Sequence, residues 1–151
     1  MKSEQNNNKQ MREHYKFFFP ITTRWMDNDI YGHVNNVVYY SYFDSIVNQF
    51  LIEHAQLDIH TGKHIGLMVA SNCEYHASIS FPDKIVGGFC VDHLGNSSVR
   101  YGVAIFKDNE EKACATGSLT HVFVQRDTNR SISIPQETRA ALSTALTETL
   151  R

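Results

Sequence analysis

The sequence predicts a single α+β domain: a curved antiparallel sheet wrapped around one long central helix, with a short helix at the C-terminus. Two observations carry that class. Residues 30–52 hold one charge, Asp44, and their apolar side chains recur at helical spacing, with Tyr39, Phe43, Ile46 and Phe50 on a stripe joined by Val47 and Leu51. A helix this apolar is expected to be enclosed, and a curved sheet is the natural wrapper. Beyond residue 64 the chain reads as strand after strand, separated by turns short enough for hairpins, so these strands are expected to be antiparallel.

The bulk properties narrow the function classes. A chain of 151 residues is one domain by length, and 42% hydrophobic residues suit a real core. The net charge of -2 gives no reason to invoke nucleic acid or an anionic membrane surface. No run of about 18 apolar residues predicts a membrane span. The first residues are polar and have no apolar centre, so no secretory leader is expected. The three cysteines, Cys73, Cys90 and Cys114, are scattered and odd in number. Disulfides are not expected, and a cytoplasmic location fits.

Residues 1–14 are polar and rich in Asn and Gln, and are expected as a loosely held tail before a domain at 15–151. Residues 15–25 read as a strand with Phe17, Phe19 and Ile21 on one face; Pro20 marks a bulge or an edge. The loop and central helix follow, and 56–64 has no clear period. Residues 72–81 alternate strictly. Cys73, Tyr75, Ala77, Ile79 and Phe81 oppose Asn72, Glu74, His76, Ser78 and Ser80, and 65–70 extends this strand. Pro82 and Asp83 make a turn. Residues 85–94 form the next strand, where Gly87 and Gly88 suggest a bend or bulge. Gly95-Asn96 is a hairpin signal. Val99, Tyr101, Val103 and Ile105 alternate on a further strand, and 112–125 is a long last one. Pro135 opens the final helix. Ser133 and Gln136 are its expected capping box, and Leu142, Leu146 and Leu150 its apolar face.

The chemistry gathers where the central helix begins. Asp27 and Asp29 precede Gly32, which permits a tight turn, and His33, Asn35 and Asn36 follow. Asn35 or Asn36 is the expected helix cap. The free N–H groups of a helix start can hold a carbonyl oxygen that is becoming an anion. A carboxylate facing such donors is an arrangement for acyl transfer. On spacing alone, Asp29 reads first as a residue that stabilises a turn.

Residues 24–39 read R-W-x-D-x-D-x-x-G-H-V-N-N-x-x-Y, which closely resembles the signature of hotdog-fold thioesterases of the 4-hydroxybenzoyl-CoA thioesterase class. A weaker likeness at 121–135 extends the resemblance to about residues 17–150. It implies a hotdog fold that hydrolyses acyl-CoA thioesters. Asp29 takes the position of the catalytic carboxylate, as nucleophile or general base, while Asp27 ties down the loop. The substrate would be bound by His33, Asn35, Asn36, Val37 and Tyr39. The backbone N–H groups of Asn36 and Val37 would meet the carbonyl oxygen, and Tyr39 would line the acyl pocket. His33 would either polarise the carbonyl and orient Asp29 or fix the loop. No metal or redox cofactor is implied, since coenzyme A is part of the substrate. A homodimer or a dimer-of-dimers tetramer is expected, with the site at the subunit boundary.

One departure stands out. Relatives carry Glu-x-x-x-Arg further along this helix, where this chain has Asp44 and Asn48. Glu74 is a lesser carboxylate candidate. His54, His60 and His64 are not expected to bind metal, because Gly62 interrupts any helix that would align them. Lys63, Lys84, Arg126 and Arg130 are available for the CoA phosphates. Two other readings are a non-catalytic acyl-CoA-binding module and an acyl-carrier-protein thioesterase. The acyl group is not specified.

Overall fold

The computed structural model describes residues 8–147. Five strands form one antiparallel sheet in the order β1-β3-β4-β5-β2: β1 Phe17–Thr22, β2 His64–Tyr75, β3 Lys84–Leu94, β4 Ser98–Lys107 and β5 Ala115–Gln125. The central helix α1, Val38–His54, lies against one face of it. A short helix α2, Gln136–Ser143, packs near β3. This is the α+β arrangement expected from the helix and strand periods, and the hotdog architecture that the resemblance implies.

The buried side chains of α1 are Tyr39, Tyr42, Phe43, Ile46, Val47, Phe50 and Leu51, a strict three-and-four spacing that puts them on one face. They share one core with Phe89, Tyr101, Ile105 and Phe123 of the sheet. Phe50 stacks on Phe89 with ring centroids 4.3 Å apart. Each large side chain closed off from water here contributes about 1.5–3 kcal/mol. Gly87 allows the close approach. A Cβ at that position would sit 2.4 Å from the Ile46 side chain. Gly87 is therefore a docking floor for the helix, while a Cβ at Gly88 would meet Tyr15 and Phe106 on the opposite face; the bulge of β3 falls further on, between Val91 and His93. In the single chain α1 is not enclosed all round, and Tyr40 and Ile52 on its outer side stay exposed.

Several boundaries differ from expectation. Strand β2 stops at Tyr75 because the Cys114 carbonyl accepts from both His76 and Ala77 N–H, which turns the chain out of the ladder. Residues 76–81 leave the ladder and pair with the loop before α1: Val34 N–H donates to Ile79 O at 2.7 Å, and Phe81 N–H to Asn28 Oδ1 at 3.0 Å. Alternation thus continues where the sheet does not. β1 is shorter than expected and is followed by a 3-10 turn, Trp25–Asp27.

Residues 8–14, expected within a loose tail, are strapped to the sheet. The Arg12 guanidinium donates to the carbonyls of Lys107, Asp108 and Glu110, and lies 5.0 Å from the Phe106 ring centroid. Residues 1–7 lie outside the described part. The capping box at α2 does not form: Ser133 bonds Asn96 Oδ1 instead, and Pro135 caps the helix without a side-chain bond. Leu142 is fully buried, Leu146 lies past the helix end and is exposed, and Leu150 is outside the described residues.

Candidate active site

The loop between β1 and α1 is built on Asp27, which is 1% exposed. Its Oδ2 accepts from the Tyr42 hydroxyl at 2.7 Å and from Arg24 N–H at 3.0 Å. Its Oδ1 meets the Arg24 guanidinium at 3.1 Å. Burial opposes ionisation, but these donors outweigh it and hold the carboxyl below its ordinary range. The Asp27 carbonyl in turn accepts from Asn35 N–H at 2.9 Å. Asp27 therefore clamps the loop to the second turn of α1 and has no oxygen left for chemistry.

Asp29 is placed differently. Its N–H donates to His33 O and its carbonyl accepts from Gly32 N–H, which closes a tight turn. Gly32 sits at φ +83° and its carbonyl accepts from Ser80 Oγ at 2.8 Å. In the Asp29 carboxylate, Oδ1 accepts from Tyr31 N–H at 2.9 Å. Among the described residues Oδ2 has no partner. The side chain lines a cleft of about 530 Å³ together with His33, Asn36 and Tyr39. That volume suits a small-molecule site.

The start of α1 differs from expectation in its cap. Val37 is the capping residue and no side chain caps the helix. Asn35 does the equivalent work two residues earlier: its Oδ1 accepts from Val37 N–H at 3.2 Å and its carbonyl from Val38 N–H at 2.9 Å. The Val37 amide, expected to face a substrate oxygen, is therefore engaged inside the protein. Among the described residues the Asn36 N–H meets no acceptor, and Asn36 lines the cleft. Two tyrosines line the cleft, Tyr39 buried and Tyr75 half-exposed. Tyr39 and Tyr75 rings meet edge to face at 5.0 Å, and Tyr75 OH donates to Asn36 O at 3.0 Å. Burial pushes each phenol up to about 12, so neither serves as an acid near neutral pH.

Residues 23–142 match the family model of the thioesterase-like superfamily. The chain belongs to the thioesterase-like superfamily. The PA5185 protein from Pseudomonas aeruginosa strain PAO1 is 51% identical in sequence and superposes with a TM-score of 0.90, over 93% of this chain and 98% of that one. A 1,4-dihydroxy-2-naphthoyl-CoA thioesterase from Synechocystis is 14% identical at a TM-score of 0.76, covering 84% of this chain and 95% of its own. The BH1999 gentisyl-coenzyme A thioesterase is 20% identical at 0.74, covering 83% and 99%. The last two share the fold.

Within this thioesterase-like site the geometry sorts the expected residues. Asp29, His33, Asn36 and Tyr39 come together on the cleft, while Asn35 and Val37 lie behind it as the turn that shapes it. Tyr75, His76 and Ser78 also line the cleft. The alternating pattern marked them as strand residues, but nothing local to them shows that the chain turns there toward the helix start. Glu74 alternates with Tyr75 and faces the other side of the sheet, so it has no part in the cleft. His54 is exposed; its ring stacks on Phe50 at 5.2 Å and lies against Phe17, covering the margin of the core. Arg126 is committed to the carbonyls of Gly62 and Ile59 and is not free for a phosphate.

Proposed function

We propose that this superfamily member is an acyl-CoA thioesterase of the 4-hydroxybenzoyl-CoA thioesterase class. The observation that carries the reading is the pairing, on one cleft, of a carboxylate oxygen without a protein partner at Asp29 and a free backbone N–H at Asn36. The thioester carbonyl oxygen accepts from the Asn36 N–H, and the charge it gains during attack strengthens that bond. Asp29 either adds to the carbonyl carbon itself or removes a proton from a water that adds. The tetrahedral adduct collapses, the C–S bond breaks, and the thiolate leaves as coenzyme A. His33 and Tyr39 contact the substrate from the cleft wall. No step requires a metal or a redox cofactor.

The molecule acts as a homodimer or a dimer of dimers. Two exposed features support that proposal. Strand β2 is a sheet edge of 12 residues on which Leu67, Met68 and Val69 face solvent, the kind of edge a protein normally covers. The loop around the cleft exposes Trp25, Met26, Ile30, Tyr31 and Val37, a large apolar area for a free surface. A second chain over this region would close the cleft mouth, so the site sits at the subunit boundary. No described helix is long and apolar enough to cross a membrane. A cytoplasmic location is proposed on the three scattered free cysteines.

The decisive assay follows thiol release from short, long, branched and aromatic acyl-CoA esters. Hydrolysis of at least one ester well above the background rate is expected. Binding of a thioether analogue with no hydrolysis of any ester would instead identify a binding module. Turnover confined to acyl-carrier-protein esters would move the partner from CoA to a protein.

A further inference from the structure

On the sheet face away from the cleft, three side chains of metal-ligating type converge. Phe89 and Val91 of β3 point into the core under α1, and Cys90 between them belongs to a separate cluster on the other face. Asp92 lies beside it on the same strand. His14 comes from the 3-10 turn Arg12–His14, part of the segment strapped to the sheet. One ligand atom from each of the three lies within 4.8 Å of the others. His14 Nε2 is 3.8 Å from Asp92 Oδ1, and Cys90 Sγ is 3.7 Å from that same oxygen. Nitrogen, oxygen and sulfur ligands of a tetrahedral zinc ion stand about 3.4–3.6 Å from one another, given bonds of roughly 2.0–2.3 Å. The N···O and S···O edges exceed this by a few tenths of an ångström, and the His14–Cys90 edge lies within 4.8 Å.

Three further observations point at this spot. His14 Nε2 is shut off from water and, among the described residues, has no hydrogen-bond partner. A buried nitrogen in that condition calls for a partner. Gly102 sits opposite Cys90 on β4, and a Cβ there would lie 2.7 Å from Cys90 Sγ and 3.0 Å from Asp92 Oδ2. The glycine leaves room for both side chains to converge. Finally, a small polar pocket of about 120 Å³ opens directly beside them, bounded by His14, Asp92, Glu74 and Thr116. It has room for a water as fourth ligand and for an ion to enter.

We infer that His14 Nε2, Cys90 Sγ and Asp92 form a binding site for a divalent cation of the zinc class, clasping the N-terminal turn to β3. Thiolate, imidazole and carboxylate together suit zinc over magnesium or calcium. On binding, the Cys90 S–H bond breaks, its proton goes to solvent, and sulfur donates to the ion without any change of oxidation state. Burial, with the nearby Asp92 charge adding to it, pushes the Cys90 thiol up, so the thiol is neutral until an ion is present. Asp92 keeps its charge: burial opposes this, but His14 and Lys9 outweigh it and hold its carboxyl below the ordinary range. Lys9 also lines the pocket and competes with a cation, although it is exposed and its long stem can move the ammonium aside. The site is structural, because the cleft lies on the other face.

The test uses the tag-free full-length protein, stripped with a chelator and dialysed. Zinc chloride should bind at one equivalent per chain and raise the unfolding midpoint. Cobalt(II) in its place should give a thiolate-to-metal charge-transfer band. His14→Gln and Asp92→Asn should each weaken zinc binding by at least the roughly 10–100-fold that an outer-shell partner is worth. Cys90→Ser should abolish the band, and Lys9→Ala should tighten binding. Cys90 is fully buried, so if its variant does not fold, His14→Gln decides, since that residue lies at the margin of the sheet. No stoichiometric zinc, equal affinity in wild type and His14→Gln, or a cobalt complex without a thiolate band would each overturn the site.

Discussion

The two halves of the loop before α1 use the same side-chain type in opposite ways. In the inner half Asp27 is sealed off, and both its oxygens are taken by Arg24 and Tyr42. In the outer half Asp29 is half-buried, gives one oxygen to Tyr31 N–H, and leaves the other to the cleft. The difference arises from α1. Tyr42 projects from its second turn onto Asp27, while nothing on the helix reaches Asp29. A pair of aspartates one residue apart is therefore not two equivalent acids. The one with a complete set of donors is structure, and the one without is available for chemistry.

The contrast can be broken by exchanging roles. Asp27→Ala strips the partner from the buried Tyr42 phenol and from an exposed arginine, and should lower stability by about 3 kcal/mol, the upper end of the scale for leaving a buried polar group unpaired. Urea unfolding measures it, and a midpoint within error of wild type would end the claim that Asp27 is the clamp. Acid titration sharpens the same point. The folded Asp27 carboxyl sits below its ordinary 3.8, so its contribution is present above 3.8 and fades as pH falls through the lower folded value. Asp27→Asn should remove that acid-dependent part.

A separate loss belongs to His121 on β5, whose ring nitrogen lies 3.1 Å from the Tyr101 hydroxyl. Burial pulls its pKa down from 6.5 to about 4. The unfolded chain therefore binds the extra proton first, and stability should drop by about 3 kcal/mol as pH falls from 6.5 to 4. His121→Gln should flatten that window and leave the Asp27 window intact; an unchanged profile would show that His121 is not buried in its neutral form.

The smallest effect is at the turn. Gly32 has φ +83° and no neighbour within 4 Å of a Cβ, so Gly32→Val is strained by the backbone alone, by about 1–3 kcal/mol. Gly32→Asn tolerates that φ better. Turnover should fall sharply in the valine variant and much less in the asparagine one. Equal rates would show that the turn does not shape the site.

What could be read from the sequence was whatever local period or fixed spacing encodes. The helix stripe of Tyr39, Phe43, Ile46 and Phe50 and the order of the strands are of that kind, and so is the D-x-D loop. What could not be read depends on partners distant in the chain. The Arg12 guanidinium binds the Glu110 carbonyl 98 residues away, so nothing around residue 12 shows that the segment is strapped down. The alternating pattern runs past Tyr75 to Phe81, but the chain there pairs with the loop before α1 in place of a strand. Asn35 looked like a helix cap and serves as one two residues before Val37, because Val37 already has a helical backbone, with φ -72° and ψ -23°. Gly87 looked like a bend because glycine has two uses in a strand, and the close approach of Ile46 selects the other.

The most direct test of the account compares Asp29→Asn with Asp27→Asn. Single-turnover hydrolysis of a reactive acyl-CoA and binding of its thioether analogue are measured on both. Asparagine keeps the shape and the acceptor oxygen but cannot take a proton near neutral pH. Asp29→Asn should hydrolyse at least about 10²-fold more slowly, the usual scale for losing a general base, with analogue affinity and unfolding midpoint close to wild type. Asp27→Asn should lose stability and keep most of its rate. Wild-type hydrolysis by Asp29→Asn would contradict the account and make Asp29 a turn residue like its neighbour.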